Sequence, residues 1–356
     1  MSNIFRMHVL GADHGDCLWI EYGASIAPHR VLIDAGTPGT FERLKPYLEK
    51  VRSNAPSHEL LVITHVDDDH IGGCLKVLSD PEISAQFRNI WFNGYDHLAQ
   101  LAQDESFGAV QGERLTQAVI DRKIPWNVHF GNEAVVRDKD DLPVTVELQG
   151  GAKVTVLGPS RAKLEKLLPH WRKVVTDAGL VPGGVSRPEP ESEDEEAFGR
   201  IDIEDMARTE SKDDTAVANG SSIALLIQYE GRSFLLAADS HPEDLLAGIK
   251  AFTGGKRLSV DVFKLPHHGS KGNVTAELLD AVDTNVVVFS SSGARFRHPD
   301  KEAVARVIKR YKPNVKLCFN YESDYTSIWR DATLQKEWGY QVEYGTNDIG
   351  ISIHLL

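Results

Sequence analysis

The sequence predicts an α/β protein, and three observations carry that expectation. Short apolar runs with β-branched members, such as residues 60–63, 223–227 and 286–289, have the length and composition of buried strands. Several of these runs stop in polar, glycine-bearing loops followed by helix-compatible stretches, as β-α units require. The histidines and aspartates crowd at those strand ends, where loops leaving a buried sheet can aim side chains at one point.

A chain of 356 residues with 41% hydrophobic content can bury a sizeable core. Residues 189–214 contain 12 acidic and three basic side chains, so this one segment holds −9 of the net charge of −13. The acidic balance therefore says little about the rest of the surface. The opening residues lack a basic stretch followed by an apolar core, and no apolar run approaches the roughly 20 residues of a membrane span. A cytoplasmic protein without membrane contact is the expectation. Cys17, Cys74 and Cys318 are too few for a disulfide framework or a cysteine-rich zinc site.

In order, residues 4–10 and 17–22 read as paired strands around a polar glycine turn at 11–16, and residues 31–33 as a third strand running into Asp34. Residues 40–51 read as a short helix capped by Thr40, its length put in question by Pro46. The strand at 60–63 ends at Thr64. His65, Asp67, Asp69 and His70 follow at once, then Gly72-Gly73, a pair that allows a tight path into the helix at 74–78. Two cations held close together need several carboxylates and imidazoles facing one point, and this loop supplies four. The plainer alternative is a solvated acidic loop with incidental histidines. Residues 89–92 read as the next strand. Residues 98–122 are helix-compatible but interrupted at Gly108 and Gly112.

Residues 126–130, 145–148 and 153–157 read as strands of a second sheet half, and 161–178 as a helix that Pro169 should kink or split. Residues 181–214 are rich in Pro, Gly, Ser and acid and poor in aliphatic residues. Such a segment buries too little apolar surface to offset its ordering entropy, so it reads as a mobile insert without ligand motifs, open to a protein partner. Residues 223–227 and 234–238 form a hairpin about Gly231 that ends at Asp239, which could otherwise cap a helix before Pro242. Residues 261–265 form a strand ending at Pro266-His267-His268-Gly269-Ser270. Neighbours on extended backbone point to opposite sides. On that basis His268 is favoured as a metal ligand and His267 as a proton donor or phosphate contact, the reverse remaining open. After the strand at 286–289, His298-Pro299 opens a helix through Tyr311, with proline in its first turn. Residues 315–319 and 351–355 read as closing strands.

The run HVDDDH followed by IGG resembles the H-x-[HD]-x-D-H signature of the metallo-β-lactamase superfamily, in the variant where Asp67 replaces the second histidine. That variant is similar to the metallo-hydrolase domain of ComEC-type DNA-uptake proteins and to bacterial phosphorylcholine esterases. Further likenesses appear in family order. The turn at 11–16 and Asp34-Ala35-Gly36 resemble the G-x-G-D and I-D-x-G elements, although Asp13 stands where the first glycine belongs and His14 where an amide is usual. Asn219-Gly220-Ser221-Ser222 with Asp239 resembles an N-x-x-S hairpin ending in aspartate. Lys264 to Ser270 resembles K-x-P-H-H-G-S. Residues 294–299 resemble N-x-[YF]-x-H-P with Ala294 in place of asparagine, which leaves His298 either substrate-facing or a helix cap.

The resemblance implies a single four-layered αββα sandwich over residues 1–356, with the insert at 181–214. It implies two divalent ions, zinc by default, with manganese or iron suited to a site rich in carboxylates. His65 and Asp67 would hold one ion, and Asp69, His70 and His268 the other, with Asp239 and a hydroxide between them and Asp34 in support. Relatives often carry a ligand histidine upstream of Asp239, but none lies between His170 and His241 here; Asn219 occupies the polar position. Asp69 would orient the hydroxide, and His267 or His298 would protonate the leaving oxygen. Asn219, Ser270 and His298 would contact substrate. The implied activity is phosphodiester hydrolysis of a phosphorylated small molecule or nucleic-acid-derived substrate. An ester, lactone or lactam hydrolase and a non-catalytic binding module are the alternatives.

Overall fold

The computed structural model describes residues 2–53, 56–94, 97–98, 101, 114–177, 201–346 and 349–356. The chain opens with β1 (Asn3–Val9), β2 (Leu18–Ala24), β3 (His29–Ile33), β4 (Leu60–Val62) and β5 (Ile90–Trp91). It continues through β6 (Val144–Glu147), β7 (Lys153–Gly158), β8 (Ala224–Tyr229), β9 (Arg232–Leu236), β10 (Leu258–Ser259) and β11 (Val262–Lys264). The last strands are β12 (Val282–Asp283), β13 (Val286–Phe289), β14 (Val315–Phe319), β15 (Tyr340–Tyr344) and β16 (Ile351–His354). One large sheet has the order β16-β1-β2-β3-β4-β5 and the other β15-β14-β13-β11-β9-β8-β7-β6, while β10 and β12 form a separate parallel pair.

The period of two along each strand assembles these sheets into a sandwich. Phe5, Met7 and Val9 of β1 and Val31 and Ile33 of β3 enter a core shared with Leu225 and Ile227 of β8 and Phe234 and Leu236 of β9. Their alternates face outward. Leu32 and Leu61 lie under the helices Thr40–Lys50, Asp68–Ser79 and Arg161–Asp177, which contribute Leu44, Val77 and Leu164. On the other side, Leu226 and Leu235 lie under the helices Pro242–Thr253 and Lys301–Tyr311, through Leu245, Ile249, Val304 and Ile308. The expected four-layered αββα arrangement is present. From β9 through β11 and β13 to β14 the pairing is parallel, as is β3 to β4, so several strands end on the same edge.

Local expectations fail where a side chain or a tertiary contact overrides them. The helix at 40–50 is capped by Gly39, not Thr40, and Pro46 sits within it. Residues 126–130 are not a strand: Asn127 turns left-handed at φ 51°, and Val128–Phe130 form a 3-10 turn. The Asn127 side chain supports that turn, accepting from the Phe92 amide at 3.0 Å and donating to the Glu133 carbonyl at 3.0 Å. The helix Arg161–Asp177 continues through Pro169. The helix Lys301–Tyr311 begins after Asp300, so Pro299 precedes it and His298 is not its cap. Of the interrupted stretch at 98–122, residues 99–100 and 102–113 lie outside the described residues, and Arg114–Arg122 is helical.

Residues 181–200 of the acidic segment lie outside the described residues, but residues 201–214 fold onto the body. Asp202 caps the helix Ile203–Arg208 through the Asp205 amide, and Ile203, 1% exposed, enters the core beneath the second sheet's helices. The helix Lys301–Tyr311 opposite holds this segment in place. Arg306 donates to the Thr209 carbonyl and the Ser211 hydroxyl at 2.7 Å each, and Lys309 donates to Glu204 at 2.8 Å. Ile203→Ala is expected to cost roughly 2 to 4 kcal/mol, the scale of a buried aliphatic truncation. Chemical denaturation measures it, and a shift below about 0.5 kcal/mol, the level of an ordinary surface change, would show that this helix does not hold to the core.

Candidate metal centre

The loops after β3, β4, β9, β11 and β13 meet at one edge of the sandwich. After β4, Thr64 and the two histidines of the loop are fixed from behind by Asp34. Its carboxylate accepts from the Thr64 amide at 2.8 Å, the Thr64 hydroxyl at 2.7 Å and His70 Nδ1 at 2.8 Å. An imidazole whose Nδ1–H is held by a carboxylate presents its Nε2 lone pair in a fixed direction, the usual support of a metal-binding histidine. Asp34 thus stands behind Thr64 and His70, where the resemblance put a supporting residue. His65 is held through Nδ1 by the Thr64 hydroxyl at 3.0 Å.

Gly72 and Gly73 lie inside the helix Asp68–Ser79, not before it. Their reason is clearance. A Cβ on Gly73 would lie 2.0 Å from the Ala35 carbonyl oxygen, and one on Gly72 2.6 Å from Pro38. A Cβ on Gly15 would lie 1.7 Å from the Asp69 carbonyl oxygen, so the turn between β1 and β2 presses directly on the histidine-aspartate loop.

Asp239, buried at the end of the β9 hairpin, is the point on which the rings converge. Its Oδ2 lies 3.5 Å from His70 Nε2, 3.5 Å from His268 Nε2, 3.7 Å from His267 Nε2 and 3.9 Å from His65 Nε2. It is not a helix cap, since His241 caps Pro242–Thr253. Pro266–Gly269 is a tight turn in which His267 and His268 both adopt left-handed backbone, φ 45° and 55°. The extended geometry expected there is absent, and both rings turn toward Asp239. His268 donates Nδ1–H to the Ser290 carbonyl at 2.8 Å, and its Nε2 also lies 3.7 Å from Asp69. Asp67, a third exposed, lies 3.6 Å from His65 Nε2.

Among the described residues four overlapping groups have ligand atoms mutually within 4.8 Å: His65 with His70 and Asp239, Asp69 with His70 and His268, Asp16 with Asp34 and His70, and Asp16 with Asp239 and His268. His65 Nε2 and Asp239 Oδ1 are buried without a hydrogen-bond partner among the described residues. Buried polar atoms normally have partners, so two orphans within one histidine-aspartate cluster fit a cation. The electrostatics agree. Burial opposes charge on His70, yet Asp239 and Asp34 hold its pKa well above the ordinary histidine value. Burial likewise opposes ionisation of Asp239, yet His268, His70 and His267 hold it well below the usual carboxylate range. The anionic pocket draws positive charge, and its nitrogen and oxygen donors without thiolate suit zinc, manganese or iron.

Several residues escaped the sequence reading. Asp16 is buried, paired with Lys264, and lies 3.5 Å from His268 Nδ1. Asp214, in the acidic segment, accepts from Asn219 at 2.8 Å and Asn273 at 2.9 Å and lies 3.3 Å from His267 Nδ1. Asn273 Oδ1 also faces His267 Nδ1 at 3.0 Å. A deletion through Asp214 would remove this backing, so an insert deletion that spares the centre must stop before Ile201. Asn219, expected to touch substrate, is buried in this network, and the Ser270 hydroxyl accepts from the Gly272 amide at 3.3 Å. The His298 ring centroid lies 5.4 Å from that of His267, and its Nδ1 is 3.6 Å from Asp300.

Residues 12–83 match the family model of the metallo-beta-lactamase superfamily. That stretch holds Asp16, Asp34 and the loop from His65 to His70. With the two-sheet architecture, it makes the fold a metallo-β-lactamase sandwich. Over 103 residues the chain is 28% identical to ComE operon protein 3 of Bacillus subtilis (strain 168), covering 29% of this chain and 13% of that protein, so the match spans a small part of its relative. Among solved structures, the metallo-beta-lactamase fold protein YhfI of Bacillus subtilis is 11% identical with a TM-score of 0.42, covering 99% of this chain and 100% of that one. Zn(2+)-bound PqqB from Methylobacterium extorquens is 12% identical with a TM-score of 0.42, covering 98% and 99%. CmlA, a diiron beta-hydroxylase from Streptomyces venezuelae, is 12% identical with a TM-score of 0.40, covering 99% and 54%. No helix among the described residues is long and apolar enough to cross a membrane.

Proposed function

We propose that this chain is a metal-dependent phosphodiester hydrolase working with two divalent ions, zinc by default. The observation that carries the metal reading is the convergence of four imidazole Nε2 atoms on one buried carboxylate oxygen of Asp239. His65 and Asp67 would hold one ion, Asp69, His70 and His268 the other, and Asp239 both. Such ions make water acidic enough to ionise near neutral pH and offset charge at the attacked group.

The protein's own groups supply the rest. Asp69, beside His268, can accept a hydrogen bond from the attacking water and orient it. His267, with the Asp214 carboxylate 3.3 Å and Asn273 Oδ1 3.0 Å from its Nδ1, can give a proton to the departing oxygen. His298 stands next to it as a second contact for that oxygen. The choice of phosphorus over carbon rests on the Asp67 variant of the signature and on the likeness of Lys264 to Ser270 to the ComEC-type motif.

Metal analysis followed by turnover of bis-p-nitrophenyl phosphate and p-nitrophenyl acetate tests the proposal. About two ions per chain and preferred hydrolysis of the phosphodiester are expected. Preferred hydrolysis of the acetate would assign an ester, lactone or lactam hydrolase to the same centre. Failure to hold metal would leave a binding module.

A further inference from the structure

An arc of side chains from two different loops extends the centre toward solvent. From His267 the arc runs to His298 at 5.4 Å between ring centroids, on to Phe296 at 6.4 Å, and then to His14 at 5.3 Å. His14 belongs to the β1-β2 turn that presses on Asp69, and Phe296 to the loop after β13. The Ser292 amide donates to the Asp13 carbonyl at 2.7 Å, which ties the two loops together. At the outer end stands Arg295, exposed, its guanidinium 5.0 Å over the Phe296 ring and its Nη1 3.4 Å from His14 Nε2. Among the described residues no carboxylate pairs with it. It reaches the metal loop through His14, whose turn lies directly against the Asp69 backbone.

An arginine held by a ring and an imidazole is partly ordered before it binds anything, and its remaining N–H groups form the planar fork that matches phosphate. We infer that Arg295, seated on Phe296 and His14, forms a subsite for a second phosphate group, adjacent to the one bound at the metal centre. The substrate class is thus a phosphodiester flanked by another phosphate, either within a nucleic acid strand or on a small bisphosphorylated molecule. The inference rests on the phosphodiester reading of the centre, but binding tests it without turnover.

The probes are thymidine 5′-monophosphate, thymidine 3′,5′-bisphosphate and a 5′-phosphorylated pentathymidylate, titrated calorimetrically into the metal-loaded protein. The wild-type chain should bind the bisphosphate about tenfold more tightly than the monophosphate, the scale of one charge-assisted hydrogen bond. R295A should bring the two within about twofold, and R295E should make the bisphosphate the weaker ligand. Arg295 is exposed, so neither change threatens the fold. A pentamer bound more tightly than the bisphosphate, with the gain lost in R295A, assigns a strand; equal affinities assign a small molecule. Equal binding of monophosphate and bisphosphate by the wild type, or an advantage that survives R295A, overturns the subsite. Turnover of bis-p-nitrophenyl phosphate separately reports whether the centre hydrolyses phosphodiesters.

Discussion

Asp239→Ala is expected to strip metal from the protein and to lower phosphodiester turnover by about 10³-fold or more, the scale of losing a principal electrostatic stabiliser. The reason is positional. Asp239 Oδ2 lies within 3.9 Å of the four imidazoles, and its Oδ1 is buried without a partner among the described residues. No other carboxylate in the centre faces so many ligands. Asp239→Asn keeps the shape and removes the charge, so it should lose metal as well, while circular dichroism of both variants stays unchanged. Metal content and turnover equal to wild type in either variant would remove Asp239 from the centre. A variant that keeps its metal but loses turnover would make Asp239 a catalytic group without a ligand role.

The parts of this centre legible in the sequence are those set by short-range pattern. A three-residue buried strand stopping at Thr64 puts His65 and His70 at a sheet edge, and a hairpin turning at Glu230-Gly231, φ 47° and 76°, puts Asp239 at the same edge. Both can be read from apolar runs and a two-residue turn. What could not be read depends on partners far away in the chain. Asp214 looks like one more acid in a charged segment until Asn219, Asn273 and His267 surround it. Ile203 looks too isolated to bury until the helix Lys301–Tyr311 supplies the opposite wall. The left-handed backbone at His267 and His268 is invisible to spacing, because non-glycine residues adopt it only where tertiary contacts impose it. β15 (Tyr340–Tyr344) was missed since Gln341 and Glu343 are exposed polar residues that break any apolar run.

His267→Ala and His268→Ala should fail in different ways, although both rings stand almost equally far from Asp239. The difference lies in the groups that each ring joins. His268 gives its Nδ1–H to the Ser290 carbonyl, with the Asp16 carboxylate 3.5 Å from the same nitrogen, and turns Nε2 into the group shared with Asp69 and His70, the posture of a ligand. His267 instead has the Asp214 carboxylate and Asn273 Oδ1 at its back. Among the described residues it joins none of the three-residue ligand groups, which leaves it to carry a proton. His268→Ala should therefore lose metal, since the remaining ligands cannot close around the ion. His267→Ala should keep metal and lose roughly 10²- to 10⁴-fold in turnover, the range for a missing general acid. The loss should shrink for p-nitrophenolate esters, whose leaving group needs little protonation. Asp214→Asn should show the same leaving-group trend at roughly 10- to 100-fold, as a residue acting through the histidine it orients. Metal stoichiometry and leaving-group dependence measured on the three variants decide the assignment. If His267→Ala loses the metal and His268→Ala keeps it, the ligand is His267 and Asp214 supports a metal site instead of an acid.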